Sequence, residues 1–222
     1  MRHCVVLLLI FLLGCSSSGL SVSDLRDGDL LFVVSGNGNN ITRVTEGVDG
    51  KAIDHVAVYS EGHVIEAIPV KGVVESPLDS FLVRLAGHES VLVGRVQGAD
   101  VRKSVANART FVGLPYDDIF MPGDSAIYCS ELVQRSFVSK SSTRMAKSGG
   151  DGCGGEAVFG TIPMSFHDST GRVTDFWTKF YAARGLQVPE GEPGTNPGQI
   201  SRDPKVRILG PLGGCASSSI AH

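Results

Sequence analysis

The sequence predicts an α+β domain. Three observations carry that prediction. Runs rich in β-branched and aromatic residues fill the first half, segments of helical spacing come later, and 28 glycines punctuate both. This pattern suits many short elements rather than a helical bundle. With 222 residues, 42% of them apolar, the chain is long enough to close one core. It has no fixed-period repeat, and nothing indicates a second folded domain.

Residues 28–34 read as a turn at Gly28-Asp29 followed by the apolar strand Leu30-Leu31-Phe32-Val33-Val34. Residues 35–51 are rich in Gly and Asn and read as a long loop, with a helical turn around Ile41 to Thr45. Loops of that length in a compact domain are often functional. Residues 53–60 and 63–69 are β-rich runs about Glu61-Gly62, a two-residue hairpin signal. Residues 72–76 read as a third short strand. Pro77 opens a short helix to Leu85, and residues 90–96 are a further strand. Val101, Val105, Ala108 and Val112 have helical spacing and stop at Gly113. Residues 126–138 and 174–184 read as two more helices, the last ended by Gly185. Residues 191–203, rich in Gly, Pro and Asn, read as a surface wrap.

The N-terminus carries a targeting signal. Arg2 precedes an apolar run at residues 4–13, too short to span a bilayer as a helix and suited to a secretory signal. The run ends in Leu12-Leu13-Gly14-Cys15, then three serines. This resembles a bacterial lipobox, with cleavage before a lipid-modified Cys15. The alternative is an ordinary signal with an incidental Cys. The expected organisation is a lipoprotein signal peptide at 1–14, a polar tether at 15–23 and one folded domain with a C-terminal extension at 24–222. The protein is then expected to be exported and held to a membrane of the cell envelope, each buried methylene of the anchor adding roughly 0.8 kcal/mol. Charged residues make up 19% and the net charge is -3, with neither an acidic tail nor a basic arm, so nucleic acid is not an expected partner.

Five cysteines reduce to Cys129, Cys153 and Cys215 once Cys4 leaves with the signal and Cys15 carries lipid. An odd number leaves at least one free thiol. Cys153 and Cys215 lie in Gly-rich surroundings and either pair or stay apart. Cys129 stands in Ile127-Tyr128-Cys129-Ser130-Glu131-Leu132-Val133, where a helix begins. A helix N-terminus favours a thiolate and offers free N–H groups to an oxyanion. The bland reading is a small buried core residue. His55, inside the strand Ile53-Asp54-His55-Val56-Ala57-Val58-Tyr59, is a candidate base. With Glu61-Gly62 as the loop, Ser60 faces His63, Ala57 faces Glu66 and His55 faces Ile68. Strand parity then puts His55 and Glu66 on one face of a shared cleft and His63 on the other. A carboxylate beside an imidazole fixes its tautomer and favours its protonated form.

These residues, in the order Gly28-Asp29-Leu30-Leu31-Phe32, Asp54-His55-Val56-Ala57-Val58-Tyr59, Val64-Ile65-Glu66-Ala67, Gly113-Leu114-Pro115-Tyr116-Asp117 and Tyr128-Cys129-Ser130-Glu131-Leu132-Val133, resemble the YiiX-like permuted branch of the NlpC-type papain-like superfamily. That branch includes lecithin:retinol acyltransferase-like enzymes. In it the His strand precedes the Cys helix, the reverse of the usual papain order. The resemblance implies a circularly permuted papain-like fold, an antiparallel sheet or small barrel packed on helices. It implies a triad of Cys129 as nucleophile, His55 as base and Glu66 as the orienting third residue, the position that varies most between branches. Tyr128 and Tyr116 are candidates for oxyanion or substrate contact, against a packing role for the first and a turn role for the second. No cofactor is expected. The Cys and His residues show neither C-x-x-C nor H-E-x-x-H spacing, so no metal site is expected either.

The function expected is a cell-envelope cysteine hydrolase, an amidase or peptidase working through an acyl-enzyme on envelope peptides. The competing readings are a lipid acyl hydrolase or acyltransferase, favoured by an apolar groove, and a silent binding lipoprotein, favoured by an unreactive Cys129.

Overall fold

The computed structural model describes residues 19–36, 39–85, 89–121, 123, 125–140 and 156–213. The expected roles of Cys15, Cys153 and Cys215 fall outside these residues. Strands β1 (Asp29–Ser35), β2 (Ile53–Ser60), β3 (His63–Ile68) and β4 (Gly72–Pro77) precede helix α1 (Leu78–Arg84) and strand β5 (Glu89–Val96). Helices α2 (Val101–Thr110) and α3 (Cys129–Ser136) follow. The remainder carries β6 (Ile162–Pro163), α4 (Asp175–Ala182), β7 (Pro193–Gly194), α5 (Pro197–Ser201) and β8 (Val206–Pro211). The main sheet is antiparallel in the order β4-β3-β2-β1-β5-β8, and β6 pairs with β7 apart from it.

Side-chain alternation divides the sheet between two cores. Leu30, Phe32, Val56, Val58, Ile65, Ala67 and Leu92 point to the face covered by α2, α3 and α5. Leu31, Val33, Ala57, Val64, Val91 and Val93 point to the opposite face, with Leu78 and Phe81 of α1. This is why β1 is apolar without alternation: both of its faces are buried. Each fully buried Val, Leu, Ile or Phe contributes roughly 1.5–3 kcal/mol. A third cluster, Met164, Phe166, Trp177 and Tyr181, packs with Ile41, Val44 and Phe120 beyond the sheet.

Two irregularities shape the site. First, Val33 faces His55 but Val34 faces Ile53, so Asp54 is an extra, bulged residue. The bulge resets strand parity, and Ile53 joins Val56 in the same core. Second, Ser60 faces His63 as the two-residue loop requires, but the ladder ends at Val58 opposite Ile65. The expected pairs Ala57–Glu66 and His55–Ile68 are not part of it, so β2 and β3 part beside His55.

The C-terminal half departs from expectation in two places. The stretch expected to wrap the surface holds the short helix α5, with Pro197, Gly198, Ile200 and Ser201 buried. The sixth sheet strand, β8, was not expected at all. Of the tether expected at 15–23, residues 19–23 are described and run along the fold. Leu20 already bridges Leu212 beside β8, and Ser21 and Asp24 form a capping box.

Candidate active site

The site begins with the N-terminus of α3. Tyr128 is its N-cap and Cys129 its first helical residue. The first N–H groups of a helix have no intrahelical acceptor. Glu131 stands at the third position of the helix, its carboxyl drawn down by the Tyr128 backbone. Burial pushes the Glu131 carboxyl up to about 7, against the opposing pull of Arg135 at 3.5 Å. The N–H groups of Cys129 and Ser130 remain at the helix end beside the sulfur. Cys129 itself is only 5% exposed. It is reached through the cleft it lines rather than from open surface.

The imidazole of His55 connects α3 to the opposite side of the sheet. Its Nε2 lies 2.8 Å from Glu66 Oε2. A carboxylate acceptor there places the proton on Nε2, which leaves Nδ1 as the nitrogen free to exchange a proton with the Cys129 sulfur. Burial opposes a charged His55. Interactions with Cys129 and Glu66 outweigh it and raise the imidazole to about 10. Burial likewise favours a protonated Glu66, but hydrogen bonds from His55 and Arg84 hold its carboxyl below the usual range.

Glu66 does not share an open cleft with His55 as expected. It is fully buried on the far side of the imidazole. Arg84 at the end of α1 donates through one Nη to both of its oxygens at 2.6 Å. Sequence reasoning missed Arg84. Its signal was a cation in the last turn of a helix following a strand that carries an isolated carboxylate. His63 stands apart at the exposed hairpin end, its Nδ1 3.1 Å from the Glu61 carbonyl.

The two tyrosines diverge. The Tyr128 hydroxyl accepts the Thr195 N–H at 3.0 Å, so it braces the β7 segment against α3 rather than pointing at a reacting group. Tyr116 lines the cleft, and its backbone bridges Ile127 just before α3. Burial and the nearby Cys129 raise its hydroxyl well above the ordinary tyrosine value.

The cleft is a narrow, partly open cavity of about 60 Å³. Its walls are mostly apolar: Ile41 and Val44 from the long loop, Phe120, Ile162, Met164, Phe166 and Trp177. Phe120 lies edge-on to both Tyr128 and Trp177, at 5.3 and 5.8 Å between centroids. These wall residues come from segments far apart in the chain; only the stretch Ile162-Pro163-Met164-Ser165-Phe166 carries a family resemblance of its own. Among the described residues no group of three or more His, Cys, Asp or Glu side chains is placed to hold a metal ion.

Comparison with known proteins gives two findings. A family model described as permuted papain-like amidase enzyme, YaeF/YiiX, C92 family, matches residues 24–208. A crystal structure of the metalloprotein yiiX from Escherichia coli O157:H7 superposes with a TM-score of 0.57 at 22% identity, covering 83% of this chain and 96% of that one. No curated protein matches the chain. At that identity the structural likeness speaks for the fold, which is papain-like.

Proposed function

Because the chain belongs to the permuted papain-like amidase family, YaeF/YiiX, C92, we propose that it is a cysteine hydrolase of amide bonds whose machinery is Cys129, His55 and Glu66. The observation that carries the reading is His55, held by Glu66 at 2.8 Å on one side and interacting with the Cys129 sulfur on the other. His55 Nδ1 holds the proton drawn from the Cys129 thiol, and the thiolate attacks the substrate carbonyl carbon. The oxyanion is met by the free N–H groups at the start of α3. The imidazolium then gives its proton to the leaving amine as the C–N bond breaks. Water, deprotonated by His55, releases the acyl group from sulfur. Arg84 keeps Glu66 ionised throughout, so the imidazole keeps one tautomer and one orientation.

The apolar cleft walls favour a substrate whose acyl half is apolar, an acyl chain over a charged peptide. The run ending in Leu12-Leu13-Gly14-Cys15 supports export, a lipid anchor on Cys15 and work at the cell envelope. Among the described residues no helix is long and apolar enough to cross a membrane.

The purified domain, incubated in parallel with muropeptides and with N-acyl amides of increasing chain length, tests the reading by mass spectrometry. Products should form from the acyl amides, and Cys129→Ala should abolish them. Turnover that survives Cys129→Ala, or turnover of muropeptides alone, would overturn the nucleophile or the acyl assignment respectively.

A further inference from the structure

Asp54 is the one formally charged side chain among the described residues lining the Cys129 cleft. The catalytic scheme leaves it without a role. It is the bulged residue of β2, carried out of strand alternation where Val34 pairs with Ile53 instead. Bulges beside active sites commonly re-aim a side chain. Its carboxylate accepts a hydrogen bond from the Asn39 amide, and Asn39 in turn organises its own loop by accepting from the N–H groups of Ile41 and Thr42 at 2.9 and 3.0 Å. The loop therefore fixes the carboxylate; burial raises its pKa, and the Asn39 hydrogen bond and the neighbouring His55 offset that only in part. An ionisable group on an otherwise apolar wall costs desolvation unless a ligand compensates it. Glu66 differs on both counts, being buried behind the imidazole and paired with Arg84.

We propose that Asp54 is a specificity residue that receives a cationic or N–H-bearing group on the leaving half of the substrate. This rests on the amidase reading above. The assignment to the leaving half follows from chain order: Asp54 adjoins His55, the group that hands its proton to the departing amine. The apolar walls then hold the acyl half. The substrate class is an acylated amine that carries a second ammonium or strong N–H donor close to the scissile amide.

The test needs no turnover. Methanethiosulfonates attached to ethylammonium, methyl or ethylsulfonate groups modify a thiolate by the same step: sulfur attacks sulfur and methanesulfinate leaves. Their rates at Cys129, each divided by its rate with 2-mercaptoethanol, report the charge preference of the cleft. The ammonium reagent should exceed the neutral one, and the sulfonate should trail both. Asp54→Asn, which keeps the shape, should cut the ammonium-to-sulfonate ratio about threefold or more and leave the neutral rate unchanged. A wild-type ratio near one, or a ratio kept by Asp54→Asn, overturns the proposal. A collapse of the neutral rate in Asp54→Asn makes the residue structural and also overturns it. If all three reagents label Cys129 no faster than an ordinary thiol, the nucleophile assignment falls first and takes this inference with it.

Discussion

At the scale of single residues, the buried carboxylate of Glu66 decides how the site behaves in acid. Its pKa is lowered from the 4.5 of an unperturbed glutamate, so the unfolded chain binds a proton there before the folded one does. Its stabilising contribution is complete above 4.5 and is lost as pH falls through the lower folded value. Glu66→Gln should therefore flatten the fall in stability below that pH, which urea midpoints measured between neutral and acid pH will show. Tyr128 has a different kind of importance. Tyr128→Phe strands the buried Thr195 N–H and should cost about 1–3 kcal/mol while speeding hydrogen exchange through residues 193–197. If exchange there is unchanged, the hydroxyl does not brace that segment. His55 and Glu66 were legible together because strand parity needs only a loop length. The two side chains do meet at 2.8 Å, although backbone pairing stops before them. Arg84 and Asp54 were not legible. One arrives from a separate helix, and the other is turned by a bulge that no residue type announces.

At the scale of elements, the β2–β3 hairpin shows where local chemistry is enough. Glu61 and Gly62 have φ of 49 and 78°, both positive as a type I′ turn requires. Asn suits the first position better than Glu, so Glu61→Asn should stabilise the protein by roughly 0.5–1 kcal/mol, read as a raised thermal midpoint. Gly72 opens β4 with φ 74°, and a Cβ there would stand 2.1 Å from the Leu114 carbonyl oxygen. Gly72→Ala should cost at least about 2 kcal/mol, because β4 and the turn before Tyr116 must separate; an unchanged urea midpoint would refute that contact. The late elements were harder to read. Asn196 at the N-cap and Pro197 at the first position do signal α5. They sit among glycines and prolines that read equally well as irregular chain, and only burial beneath the long loop selects the helix. Strand β8 lacks clean alternation, since its inner and outer residues are set by a register shift opposite Val93 and Gly94.

At the scale of the whole molecule, the order of the parts was legible only through family resemblance, since no local spacing says that a histidine strand must precede a cysteine helix. The geometry around Leu20 gives that order a further meaning. Leu20 donates to the Pro211 carbonyl at 2.8 Å and accepts from the Gly213 N–H at 2.8 Å, so the place where the chain joins the fold and the place where it leaves β8 are the same corner. A linker of a few residues could splice that corner shut. A new opening at exposed Gly123, ahead of α3, would then make Cys129 the early residue and His55 the late one, the reading direction of ordinary papain relatives. Every packing contact described above would be retained. Such a rewired chain should fold with the native circular dichroism spectrum and keep the labelling rate of Cys129 within about threefold. Failure to fold would mean that the present starting point of the chain guides assembly; success would make the permutation a matter of gene arrangement, to which the chemistry is indifferent.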